Sequence, residues 1–251
     1  DLDKLALSTE KLLAGTDSKI TTIGYYCNPI QYAEHRKTLE NVICTAGKFG
    51  ATHVSTFAGA WEGKPVESAY EEFGKVFREL ADLAEEKGVK LGIENCLMDG
   101  TWEHATCNIG FNPKAWEVMF EEVKNDNFGL EWEPTHQMVQ LIDPVTELRK
   151  WCKKIVHIHG KDATIDWDAV RHSGISGAVP FVWHRMPGFG DTNWRDIISI
   201  LRSNGYEDDI CIEGYHDPVY SGELEMTGQL HALNYLKWCR GGDFTPTPWA
   251  K

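Results

Sequence analysis

No apolar run in the 251-residue sequence approaches the roughly 18 residues that a membrane-spanning helix needs, so no membrane partner is expected. Clusters of lysine and arginine are missing as well. The 38 acidic residues outnumber 25 basic ones, for a net charge of −13, and a field of that sign repels nucleic acid. None of the seven cysteines stands in a C-x-x-C pair, and their odd number cannot close into a complete disulfide framework. Free thiols in a reducing compartment, the cytoplasm, are the simplest expectation. No export signal is visible at the start, which has neither a charged segment nor an apolar stretch after it. Glycine-rich phosphate loops do not follow any apolar run, and Gly188-Phe189-Gly190 stands apart from one. Repeats, low-complexity tracts and linkers are lacking too, so residues 1–251 are expected to form a single domain.

What the sequence does contain is a recurring way of ending a short apolar run. Val156-His157-Ile158-His159 runs into Gly160-Lys161-Asp162, and on a strand the two histidines share one face. Lys90-Leu91-Gly92-Ile93 closes on Glu94, Phe128-Gly129-Leu130-Glu131-Trp132 on Glu133, and Ile210-Cys211-Ile212 on Glu213. Glu94, Glu133, His159 and Glu213 together offer one imidazole and three carboxylates. That set suits one hard or borderline divalent ion, with Mn²⁺ leading and Mg²⁺, Co²⁺ and Zn²⁺ as alternatives. Glu131 has the strand parity of Glu133, and the register favours Glu133.

Helical spacing and end signals place helices at about 2–13, 34–49, 67–87, 113–123 and 143–153. The apolar runs fall between them, beginning with 20–27 and 51–57. Alternating strands and helices require parallel strands with right-handed crossovers, and chemistry-bearing residues at strand ends favour an α/β barrel over a doubly wound sheet. Six strands are legible where a closed (β/α)8 barrel needs eight. The stretch from Ala163 to Pro187 shows no regular strand–helix unit, so the expectation is a TIM barrel lacking its first β-α-β unit in this chain, about 40 residues long.

The ordered motifs resemble those of the sugar phosphate isomerase/epimerase superfamily, the xylose-isomerase-like TIM barrels. They are Ile93-Glu94-Asn95, the run from Gly129 to His136, His157 to Asp162, Arg185-Met186-Pro187-Gly188 with Trp194, and Gly205-Tyr206 leading to Glu213. The resemblance implies metal ligation by Glu94, Glu133, His159 and Glu213, with Glu133 standing where the family usually has Asp. It gives His136 a substrate-contacting place and Arg185 a substrate-anchoring one. Lys161 is a loop cation, a substrate contact or a general base.

The implied activity is isomerisation or epimerisation of a keto-sugar or polyol derivative. Glu94 and Glu213 would act as acid and base through an enediolate. A lyase or dehydratase acting on keto-glycosides or inososes would use the same residues. An endonuclease-IV-like repair enzyme requires more histidine ligands and a basic face, and a non-catalytic sugar-binding subunit has no need of intact ligands. The substrate is expected to be a small carbohydrate, and the sequence leaves open whether the chain forms a homo-oligomer.

Overall fold

A computed structural model describes residues 2–243 and 245–248. In chain order the elements are α1 (Leu2–Leu13), β1 (Thr22–Gly24), α2 (Ala33–Thr45), β2 (His53–Thr56), α3 (Tyr70–Glu86), β3 (Lys90–Glu94), α4 (Pro113–Glu122) and β4 (Phe128–Trp132). There follow α5 (Pro134–Met138), α6 (Pro144–Trp151), β5 (Ile155–Gly160), β6 (Asp162–Ile165), α7 (Trp167–Ser173), β7 (Val182–Arg185), α8 (Trp194–Ser203), β8 (Ile210–Ile212) and α9 (Glu225–Cys239). Six of the strands form one sheet in the order β1-β2-β3-β4-β5-β8, and β6 and β7 form a separate two-stranded ribbon. The six-strand count read from the sequence is thus met. None of the described helices is long and apolar enough to cross a membrane.

The chain falls into two compact units, Asp1–His136 with Lys154–Ile158, and Gln137–Lys153 with His159–Lys251. In the first unit, β1 to β4 and the start of β5 pair in parallel, with Ile93 beside Leu130 and Glu131 beside His157. Helix α3 buries Phe73, Val76, Phe77, Leu80, Ala81 and Ala84, a stripe at helical spacing, and Gly88 at φ +70° supplies the left-handed residue just beyond its end. Phe73 and Phe77 stack at 4.6 Å between ring centres, and both lie near Phe128 of β4. Helix α4 starts as its sequence demands: the Asn112 side chain accepts from Lys114 N at 3.0 Å, with Pro113 in the first turn. Gly129 is required by packing, since a Cβ there would collide with the Lys154 carbonyl oxygen and lie 2.6 Å from Val156 Cγ1.

In the second unit, α8 is capped by Asn193 and buries Trp194, Ile197, Ile198, Ile200 and Leu201. The ribbon is antiparallel, Asp162 opposite Arg185 and Ile165 opposite Val182. With α7 it occupies the stretch where the sequence shows no regular unit. Both strands are four residues long, and Val182-Trp183-His184-Arg185 carries no buried residue, so no hydrophobic alternation announces it. The first expected strand is also shorter, three residues instead of 20–27. Asn28 ends it by anchoring the following loop, its Oδ1 accepting from Ala60 N and Gln31 N.

Candidate metal and catalytic site

Glu94 is the last residue of β3 and Glu133 the first after β4. Their relative exposures, 7% and 0%, are low for glutamates, which enter an interior only when paired, hydrogen-bonded or bound to a cation. Side-chain amides hold the backbone at these two strand ends. The Asn95 side chain accepts from Glu133 N at 2.7 Å and donates to Glu133 O at 2.9 Å, imitating a strand neighbour where the ladder has ended. Asn108 donates to the carbonyls of Glu94 and Cys96 at 2.9 and 2.8 Å, and its Oδ1 accepts from Ala58 N and Gly110 N. Little in the sequence marks these buried asparagines as site-building residues. The one signal is the position of Asn95 directly after a strand-end glutamate.

His136, on α5, places Nε2 3.3 Å from Glu133 Oε1. The same imidazole also converges with Glu94 and Cys96, each of the three offering a ligand atom within 4.8 Å of the others. Glu131 goes elsewhere. Its Oε1 lies 2.7 Å from His157 Nδ1 and its Oε2 accepts from the Tyr26 hydroxyl at 2.8 Å, all of them within the first unit. His53 extends this buried group, its ring centre 5.9 Å from that of His157.

In the second unit, Glu213 follows β8, and its N–H donates to Gly160 O at 3.0 Å, extending the pairing with β5. Lys161, only 2% exposed, donates to Glu213 Oε1 at 3.0 Å, and His159 Nδ1 stands 3.3 Å from Oε2. His184 is pushed down to about 4, by burial first and then by the charge of Lys161, so its imidazole is neutral near pH 7. Arg185 is tied through Nε to Asp217 at 3.3 Å, and its guanidinium carbon lies 5.8 Å from the centre of the Phe189 ring. Asp217 also accepts from the backbone N–H groups of Met186, Val219 and Tyr220. Burial raises its pKa, but those N–H groups and Arg185 outweigh it and hold the carboxyl below its ordinary range. Asp162 gathers the loop after Arg185, accepting from Ala163, Gly188 and Thr192 N–H groups; here burial dominates and pushes the carboxyl up.

The site residues read from the sequence therefore fall into two groups, Glu94, Glu133 and His136 in the first unit and His159, Lys161 and Glu213 in the second. Arg185 is paired with Asp217 beside the second group. Against known families, residues 3–237 match the xylose isomerase-like TIM barrel. The chain belongs to that family. Its fold is accordingly the α/β TIM-barrel type expected from the strand order.

Among relatives, an inosose dehydratase of Clostridium tetani (strain Massachusetts / E88) is 26% identical over 182 residues, 70% of this chain and 57% of the relative. The chain thus spans little more than half the length of that relative. Among solved structures, a xylose isomerase domain protein from Planctomyces limnophilus superposes with a TM-score of 0.73 at 17% identity. The match covers 95% of this chain and 83% of the other. A zinc-bound IolI protein superposes with a TM-score of 0.66 at 21% identity, over 95% of this chain and 80% of the other. At these identities the two structures speak for the fold.

Proposed function

We propose that this chain is a metal-dependent enzyme that takes a proton from the carbon beside a ketone in a sugar or inosose, with Glu94, Glu133, His159 and Glu213 as ligands of one divalent ion. The supporting observation is their placement. Each stands at or just past the C-terminal end of a strand, and those strands, β3, β4, β5 and β8, follow one another in the sheet. The donor set fits, since three carboxylates and an imidazole suit a hard or borderline divalent ion. Zn²⁺ is the ion to try beside Mn²⁺, because the zinc-bound IolI shares the fold. When bound, the ion polarises the ketone and so acidifies the neighbouring C–H.

The protein groups do the rest. Glu94 and Glu213 exchange protons with carbon, one as base and one as acid. Lys161 holds the Glu213 carboxylate by its Oε1. His136 contacts the substrate hydroxyls, and Arg185, its Nε engaged by Asp217, offers its remaining N–H groups to substrate oxygens. Proton abstraction followed by loss of a β-hydroxyl is dehydration, and the inosose dehydratase of C. tetani puts that outcome first. Return of the proton to the neighbouring carbon or to the opposite face gives isomerisation or epimerisation. The presence of two candidate proton-transfer carboxylates keeps this second reading in view.

The test is to incubate the metal-loaded protein with inososes and keto-sugars in D₂O and identify the products. Loss of water with deuterium at a C–H position is expected. Glu213→Gln, which keeps an oxygen but loses the basic carboxylate, should lower kcat by at least about 10²-fold. Turnover of Glu213→Gln at the wild-type rate, or products without carbon-bound deuterium, would refute the carboxylate mechanism.

A further inference from the structure

We infer that Glu94, Cys96 and His136 form a second metal site, one that takes a thiophilic divalent ion such as Zn²⁺ or Cd²⁺ and inhibits the enzyme when filled. The three side chains come from one compact unit and bring a carboxylate oxygen, a sulfur and an imidazole nitrogen within 4.8 Å of one another. Their backbones are held in place. Asn108 donates to the carbonyls on either side of Asn95, and His136 sits on a helix that begins immediately after Glu133.

Burial and chemistry agree with a ligand role. Glu94 and His136 are nearly closed off, at 7% and 8%, while Cys96 is partly exposed and leaves an approach from solvent. Glu133 Oε1, 3.3 Å from His136 Nε2, gives the carboxylate–imidazole approach that orients ligating histidines. Thiolate with imidazole and carboxylate selects Zn²⁺ over Mg²⁺ or Mn²⁺, and three protein ligands leave a position for water. The Cys96 thiol releases its proton to solvent as the ion binds. This donor set differs from the all-oxygen-and-imidazole set proposed for the catalytic ion, so a cell's hard and soft ions would sort between the two. The inhibitory effect rests on the proposed roles of Glu94 in proton transfer and His136 in substrate contact, because filling the second site occupies both. The existence of the site rests on neither.

The probe is Co²⁺, whose bond to a thiolate produces a near-ultraviolet charge-transfer band. Titration of the full chain should produce that band, and Cys96→Ser should abolish it while Glu213→Gln and Cys211→Ser retain it. Added Zn²⁺ should bleach it by displacement. In the Mn²⁺-loaded protein excess Zn²⁺ should inhibit, and Cys96→Ser should raise the half-inhibiting concentration on the order of tenfold or more. A wild-type protein with no thiolate band, or a band that survives Cys96→Ser, overturns the site. A band that follows Cys96 without inhibition by Zn²⁺ overturns the inhibitory role and leaves the site standing. Failure of the proposed catalytic reading would instead appear as the unaltered turnover of Glu213→Gln.

Discussion

Replacing Asn95 tests how the strand ends are held. Its side chain makes two hydrogen bonds, accepting from Glu133 N at 2.7 Å and donating to Glu133 O at 2.9 Å, and both residues are 0% exposed. In Asn95→Ala the buried Glu133 N–H loses its side-chain acceptor and Glu133 O loses one of its donors. Taking the partner from a buried polar group costs about 1–3 kcal/mol, so a loss of about that size is expected, at its lower end if the small cavity admits a water. Asn95→Asp keeps the volume and the acceptor for Glu133 N–H but removes the donor and buries a carboxylate, so it should also destabilise by at least about 2 kcal/mol. Urea unfolding followed by tryptophan fluorescence measures both. Calorimetric metal titration measures the second consequence, a loss of affinity of about 10–100-fold as Glu133 is freed from its position. If both variants unfold within about 0.5 kcal/mol of wild type, the level of an ordinary surface substitution, Asn95 does not hold Glu133.

Arg185→Ala should raise KM with kcat little changed, because the arginine binds ground and transition states alike; steady-state kinetics showing the reverse would move Arg185 into the chemical step. Gly129→Ala places a methyl against the Lys154 carbonyl and Val156, and thermal or urea unfolding should show a loss of about 1–3 kcal/mol; a neutral result would mean that β4 and β5 part more readily than their packing implies. His184 has a folded pKa of about 4, below the ordinary 6.5, chiefly through burial. As pH falls from about 6.5 towards 4 the unfolded chain takes up a proton that the folded one resists, so stability should decline across that window. His184→Gln should flatten the decline, and an unchanged pH profile would show that the imidazole is not held neutral.

Much of this was legible in the sequence because parallel strands are buried on both faces and read as short, nearly unbroken apolar runs. A glutamate at the end of such a run interrupts the pattern abruptly, which makes Glu94, Glu133 and Glu213 conspicuous and the six strands of the sheet countable. The ribbon of β6 and β7 did not stand out, since Trp183 is exposed and none of Val182, His184 or Arg185 is fully buried. Helix α5 is five residues long, too short to develop a period. Glu131 and Glu133 share strand parity, so parity alone could not separate them. Glu131 is engaged by His157 and Tyr26, contacts that form only once distant segments are brought together. Asn28 and Asn108 look like loop residues in sequence, because nothing local distinguishes an asparagine that faces solvent from one that completes a buried backbone.

The central claim, one divalent ion held by Glu94, Glu133, His159 and Glu213, is met most directly by diffraction from crystals grown with Mn²⁺, with anomalous data collected at the manganese edge. A single peak bonded to all four side chains is the predicted result, with oxygen and nitrogen distances of about 2.0–2.3 Å. An absent peak, or one whose ligands leave out Glu133 or Glu213, would contradict it.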